Sequence, residues 1–142
     1  LDTLTERVGV CRDFAHLMIA LCRALNIPAR FVTGIDYGAD PALGPSDFHA
    51  YVEAFLGDRW YLFDPSATAI PMGLMRFGVG RDAADVSFAT IFGSVRAEPP
   101  KIVIEAAADA FSGAELPRRR PDALSTDDGS AVLIGARLAP LA

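Results

Sequence analysis

The chain has 142 residues, 51% of them hydrophobic and 22% charged, with a formal net charge of -5, which describes one globular domain large enough to bury a single core. The negative balance disfavours an electrostatic grip on nucleic acid, and no stretch holds the roughly 18 consecutive apolar residues needed to cross a bilayer, so neither nucleic acid nor membrane is expected as a partner. Leu1 is not a start methionine and a motif begins only a few residues later, so the segment reads as a piece of a longer protein with a region missing upstream.

From Cys11 to Leu25 the apolar residues Phe14, Leu17, Met18, Leu21, Cys22 and Leu25 recur at three- and four-residue steps, predicting a helix with one buried face. Asn26 and Pro28 mark its end. Both cysteines fall inside it, eleven residues apart, and a separation of roughly 16 Å along the axis prevents them from bridging. Free thiols fit a reducing, cytoplasmic location.

Arg30 to Ile35, with Phe31, Val32 and Thr33, reads as a strand, and the loop Asp36 to Asp47, rich in Gly, Pro and Asp, is placed to border a cleft. His49 to Leu56 and Arg59 to Phe63 form a predicted hairpin around Gly57-Asp58. Trp60 and Tyr61 alternate across its second strand, so one should pack inward and the other line the cleft. Beyond Pro65, strands are expected over Leu74 to Val79, Val86 to Val95, Lys101 to Ala107 and Ala131 to Leu138 in a mostly antiparallel sheet. Ser112 to Ser130, with Arg118, Arg119 and Arg120 between prolines, reads as a solvated linker.

Three residues stand out by position. A thiol attacks a carbonyl as thiolate, and an ordinary cysteine is mostly protonated at neutral pH. Cys11, at the first turn of a helix, gains from the unpaired N–H groups and the positive end of the macrodipole there. The two-residue turn pairs Leu56 with Arg59 and, counting outward, Tyr51 with Asp64, which makes His49 and Asp64 diagonal neighbours on one face of the hairpin. The carboxylate would then orient the imidazole, which would serve the thiol. Singly, each has a plainer role: a buried small hydrophobe, a core histidine, a turn-initiating Asp before Pro65. The conjunction favours a site made of Cys11, His49 and Asp64. His16, five residues after Cys11, is read as packing or a supporting hydrogen bond, and Cys22 as core. Cys11, His16, Cys22 and His49 lack the C-x2-C or H-x3-H spacing of metal sites, so neither metal nor cofactor is expected.

The stretches Gly9-Val10-Cys11-Arg12-Asp13-Phe14-Ala15-His16, Phe48-His49-Ala50-Tyr51-Val52-Glu53 and Trp60-Tyr61-Leu62-Phe63-Asp64-Pro65-Ser66 resemble the three signature blocks of the transglutaminase-like superfamily, specifically its bacterial cysteine peptidase branch. The segment from Val79 to Val86 is similar to one that often follows in that family. The resemblance implies an α+β fold with a papain-like core, the nucleophile helix packed on an antiparallel sheet. It implies a catalytic domain over 1–110, with 111–142 as polar linker and C-terminal strand or tail. Cys11 becomes the acyl-accepting nucleophile, with His49 and Asp64 completing the triad. The function so implied is hydrolysis of a peptide or protein amide through a thioester. Transfer of the acyl group from a protein glutamine to an amine is the alternative, and a noncatalytic protein-binding module the competitor from another class. The family's usual upstream region is absent, and the second oxyanion donor beside the Cys11 N–H stays unassigned; oligomeric state is not legible.

Overall fold

The computed structural model describes residues 2–37, 42, 47–98, 101–104, 117–121, 123–127 and 132–134. A short helix α1 (Asp2–Glu6) precedes α2 (Cys11–Ala24). Helix α2 begins where the Asp13 carboxylate accepts the Val10 N–H at 2.9 Å, the half of a capping box that an acid at the third helical position supplies. It ends with Asn26 in the left-handed region (φ 57°), and the N–H groups of Asn26 and Ile27 return to the carbonyls of Arg23 and Cys22. This is a Schellman closure.

The buried face of α2 differs from the expected stripe. Ala15 and Ile19 are buried, with Cys11, Met18 and Cys22 packed beside them, whereas Leu21 and Leu25 are 53% and 72% exposed. Small Ala15 lets the helix approach the sheet closely, so the row 11-15-18-22 turns inward and the bulkier residues flank it. That rotation points the Cys11 end of the row at the strands.

The sheet comprises β1 (Ala29–Asp36), β2 (Phe48–Leu56), β3 (Arg59–Phe63), β4 (Leu74–Gly80), β5 (Ala123–Ser125) and β6 (Val132–Ile134). Their spatial order is β4-β1-β2-β3-β5-β6, with every neighbouring pair antiparallel. Alternation along the strands sets Phe31, Ala50 and Val52 under α2, and Val32, Tyr51, Leu62 and Leu124 on the opposite face against Ala69, Met72 and Leu74. The hairpin has the predicted register, Leu56 opposite Arg59 and Val52 opposite Phe63. Gly57 has φ +67°, the conformation a two-residue hairpin turn requires at its first position. Glu53 is fully buried between Arg30 and Arg76, the second bond measuring 2.8 Å.

The expected strand over Val86 to Val95 is absent; these residues form an irregular segment. Val86 packs into the core beneath α2, while Phe88, Ile91 and Phe92 are largely exposed, so β-favouring composition there does not mark a strand. The polar stretch Ser112 to Ser130, read as a linker, supplies β5, whose Leu124 and Ser125 are buried against β3. One apolar residue sufficed because β3 offered an unpaired edge. Of Lys101 to Ala107, residues 101–104 form no strand, and 105–107 lie outside the described residues. The expected strand Ala131 to Leu138 is seen as Val132–Ile134, with 131 and 135–138 outside them, as are 38–41 and 43–46 of the cleft loop. Among the described residues no helix is long and apolar enough to cross a membrane.

Candidate active site

Cys11 opens α2, His49 is the second residue of β2 and Asp64 follows the last residue of β3. These three elements converge at one end of the sheet. The thiol lies beside β2, near enough to the His49 side chain and to the Ala50 and Arg12 N–H groups for these to stabilise its anion. The imidazole Nε2 lies 3.1 Å from Asp64 Oδ1. Because Nε2 is engaged there, Nδ1 is the nitrogen left for Cys11. Diagonal placement across the hairpin, expected from counting residues outward from the turn, accounts for the contact.

Asp64 is held in turn. Its Oδ1 accepts the Ser66 N–H at 3.0 Å and the Ser66 hydroxyl at 2.6 Å, and its Oδ2 accepts the Ala69 N–H at 2.7 Å. Only 2% of the Asp64 side chain and 12% of that of His49 is exposed, so these bonds operate with little screening. Behind the imidazole the Tyr51 ring packs edge-on, with centroids 4.6 Å apart at 71°. The buried Tyr51 hydroxyl lies near the buried Asp36 carboxylate without reaching hydrogen-bond geometry, and Asp36 Oδ2 accepts the Ile70 N–H at 3.0 Å.

The electrostatics follow from these contacts. Burial pushes the Cys11 thiol up, but the His49 hydrogen bond, the Ala50 and Arg12 N–H groups and the imidazolium charge outweigh it, leaving the thiol below its ordinary value. Burial pulls His49 down, yet the hydrogen bonds and negative charges of Asp64 and Cys11 lift it to about 9. Burial also raises Asp64, and His49, Ser66 and the Ala69 N–H overcome this to bring it to about 2. Each group is stabilised in its charged form by the next, which favours a thiolate–imidazolium pair at neutral pH. Burial pushes the Asp36 carboxyl up.

The structure brings together all three residues that the sequence singled out. His16 lies apart: its Nε2 accepts the Ala83 N–H at 3.2 Å and its ring packs on Phe31 with centroids 5.2 Å apart. Trp60 stacks under the Arg30 guanidinium, 4.0 Å from its centroid, and packs on Phe55; neither it nor Tyr61 lines the cleft beside Cys11. Ser66, Tyr51 and Asp36 were not anticipated. Ser66 was legible, since Asp-Pro-Ser favours a turn in which the carboxylate takes the N–H two residues on. Asp36 carried no comparable signal, because only tertiary packing brings β1's last residue behind β2. Among the described residues, no group of three His, Cys, Asp or Glu side chains is arranged to hold a metal ion.

The sequence model of the transglutaminase-like superfamily matches residues 1–65, the segment that contains Cys11, His49 and Asp64. Residues 1–65 are thus similar to the core of that superfamily. An uncharacterized protein of Mycobacterium leprae is 37% identical over 92 residues, covering 61% of this chain and 33% of its own length. An uncharacterized Mycobacterium tuberculosis protein is 32% identical over 96 residues, covering 60% and 31%. The chain spans about a third of the length of the curated relatives it matches. A crystal structure from Cytophaga hutchinsonii, provisionally described as a cysteine protease, is 54% identical with a TM-score of 0.59, covering 66% of this chain and 31% of that one.

Proposed function

We propose that this transglutaminase-like domain is a cysteine-dependent amide hydrolase of the peptidase or amidase type, with Cys11 as nucleophile, His49 as proton carrier and Asp64 as orienter. One observation carries the proposal: the His49 ring, tied through Nε2 to a buried carboxylate, stands beside a thiol at the start of a helix. The similarity to a structure provisionally described as a cysteine protease supports it.

In the first half-reaction the thiolate sulfur attacks the amide carbon, and the carbonyl oxygen takes the negative charge. The N–H of Cys11, which at the first position of a helix has no intrahelical acceptor, would stabilise that oxygen. His49 gives its proton to the amide nitrogen, the C–N bond breaks, and a thioester remains. Water then attacks the thioester while neutral His49 takes its proton; the C–S bond breaks and the thiolate–imidazolium pair returns. Asp64 holds the ring in one tautomer throughout and stabilises its charge without being protonated.

Mass spectrometry after incubation with a peptide mixture and rapid acid quench tests this. A mass increase on the Cys11 peptide in the wild type, lost in Cys11→Ala and strongly reduced in His49→Ala, is expected. Adduct formation unchanged in His49→Ala at neutral pH removes His49 from the reaction.

A further inference from the structure

A cleft of about 420 Å³ opens beside the proposed nucleophile, lined by Cys11, His49, Phe31, Phe48, Phe88 and Ile91 among others. It continues past Phe48, Val86 and Phe88 into a second space of about 300 Å³ bounded by Phe77 and Gly78. Phe48, the residue immediately before His49, is the hinge between the two: its ring centroid lies 4.4 Å from that of Phe88 and 6.1 Å from that of Phe77.

The backbone explains why a phenylalanine from β4 takes part. In the β1–β4 pairing Thr33 faces Gly78 and Gly34 faces Arg76, so Phe77 is the extra residue of a β-bulge. A bulge releases its residue from the ladder and re-aims its side chain. Phe77 is accordingly 60% exposed, and Phe88, from the irregular segment after β4, 69%. Two aromatic rings left open to water on either side of the residue next to His49 form a surface with apolar area to bury.

The charges lining the cleft disfavour a cationic side chain. Asp85 lines the far part, but the Arg81 guanidinium clasps both its oxygens at 2.9 and 3.0 Å, so it offers no strong anchor for a cation. Arg12 lies at the near rim, exposed to solvent.

We infer that the Phe48, Phe77 and Phe88 rings form the specificity pocket of this site, receiving a large apolar or aromatic side chain on the residue whose carbonyl becomes attached to Cys11. The inference rests on the amide-hydrolase reading and deepens it by naming the substrate class. The near cleft has room for the scissile amide and the space beyond Phe48 for a ring or branched chain, and burying such a side chain rather than a charged one should favour it tenfold or more.

The test uses N-acetylated aminoacyl chloromethyl ketones bearing Phe, Leu, Lys or Asp side chains, in which the thiolate displaces chloride to form a thioether. Each rate is divided by that of iodoacetamide, which has no side chain to place. Phe and Leu reagents are expected to label Cys11 at least about tenfold faster than Lys and Asp reagents, and Phe88→Ala and Phe77→Ala should each erode that ratio. Rapid iodoacetamide labelling with no side-chain preference overturns the pocket while leaving the hydrolase reading intact. A preference untouched by both substitutions overturns the assignment of the rings. Iodoacetamide labelling of Cys11 as slow as that of Cys22 refutes the hydrolase reading itself, and the pocket falls with it.

Discussion

Replacing Asp64 by Asn removes the negative charge from the far side of His49 while keeping the side chain's shape. Holding His49 at about 9 instead of 6.5 is a preference for the imidazolium of about 3 kcal/mol, shared by Asp64 and Cys11. The Asp64 share is one charge-assisted hydrogen bond of 3.1 Å to a side chain that is 2% exposed, worth about 1.5–3 kcal/mol. Without it the thiolate–imidazolium pair weakens about ten- to hundredfold. Since His49 is foremost among the groups that lower the Cys11 thiol, the onset of thiol reactivity moves to higher pH. Iodoacetamide alkylation of Cys11, followed by peptide mass spectrometry from roughly pH 5 to 9, measures this. Near pH 6 the variant should react at least about tenfold more slowly, with the curves converging as pH approaches about 9. The Asn amide also sets donors against the Ser66 or Ala69 N–H that Asp64 accepts, so the variant's melt is recorded and rates are compared well below it. A folded Asp64→Asn protein whose reactivity begins at the wild-type pH would refute the claim that Asp64 holds the imidazolium.

Stability tests probe the same framework. Asp64 titrates at about 2 when folded against an ordinary 3.8, so its contribution is present above about pH 4 and lost as pH falls through about 2, an amount of about 2 kcal/mol; urea titrations at both ends should show that loss in the wild type and not in Asp64→Asn. Glu53→Ala leaves Arg30 and Arg76 without their buried partner and should cost about 2–4 kcal/mol in urea unfolding, while a loss under about 0.5 kcal/mol, the range of ordinary surface changes, would mean the ion pairs are incidental. A Cβ on Gly73 would lie 1.8 Å from the Tyr37 carbonyl oxygen, whereas one on Gly57 meets nothing but carries φ +67°. Gly73→Ala should therefore lower the melting temperature clearly more than Gly57→Ala, whose cost is limited to about 1–2 kcal/mol of backbone strain.

What the sequence determined was local. Three- and four-residue spacing marked α2, the Schellman end was written in Asn26 and Pro28, and Gly57-Asp58 set a hairpin whose register follows by counting. Because side chains in paired strands alternate with a period of two, that register alone predicted the meeting of His49 and Asp64. The fold class and the resemblance to the superfamily were legible for the same reason, since their motifs lie on continuous short elements. Tertiary packing decided the rest. The inward face of α2 was set by how closely Ala15 could approach the sheet, not by where the largest apolar residues stood, and that choice turned Cys11 toward β2. The Phe77 bulge, the irregular path of Val86 to Val95 and the late strand β5 all depend on which sheet edges and faces other segments left uncovered. Such vacancies arise between segments distant in sequence, so no window along the chain contains them.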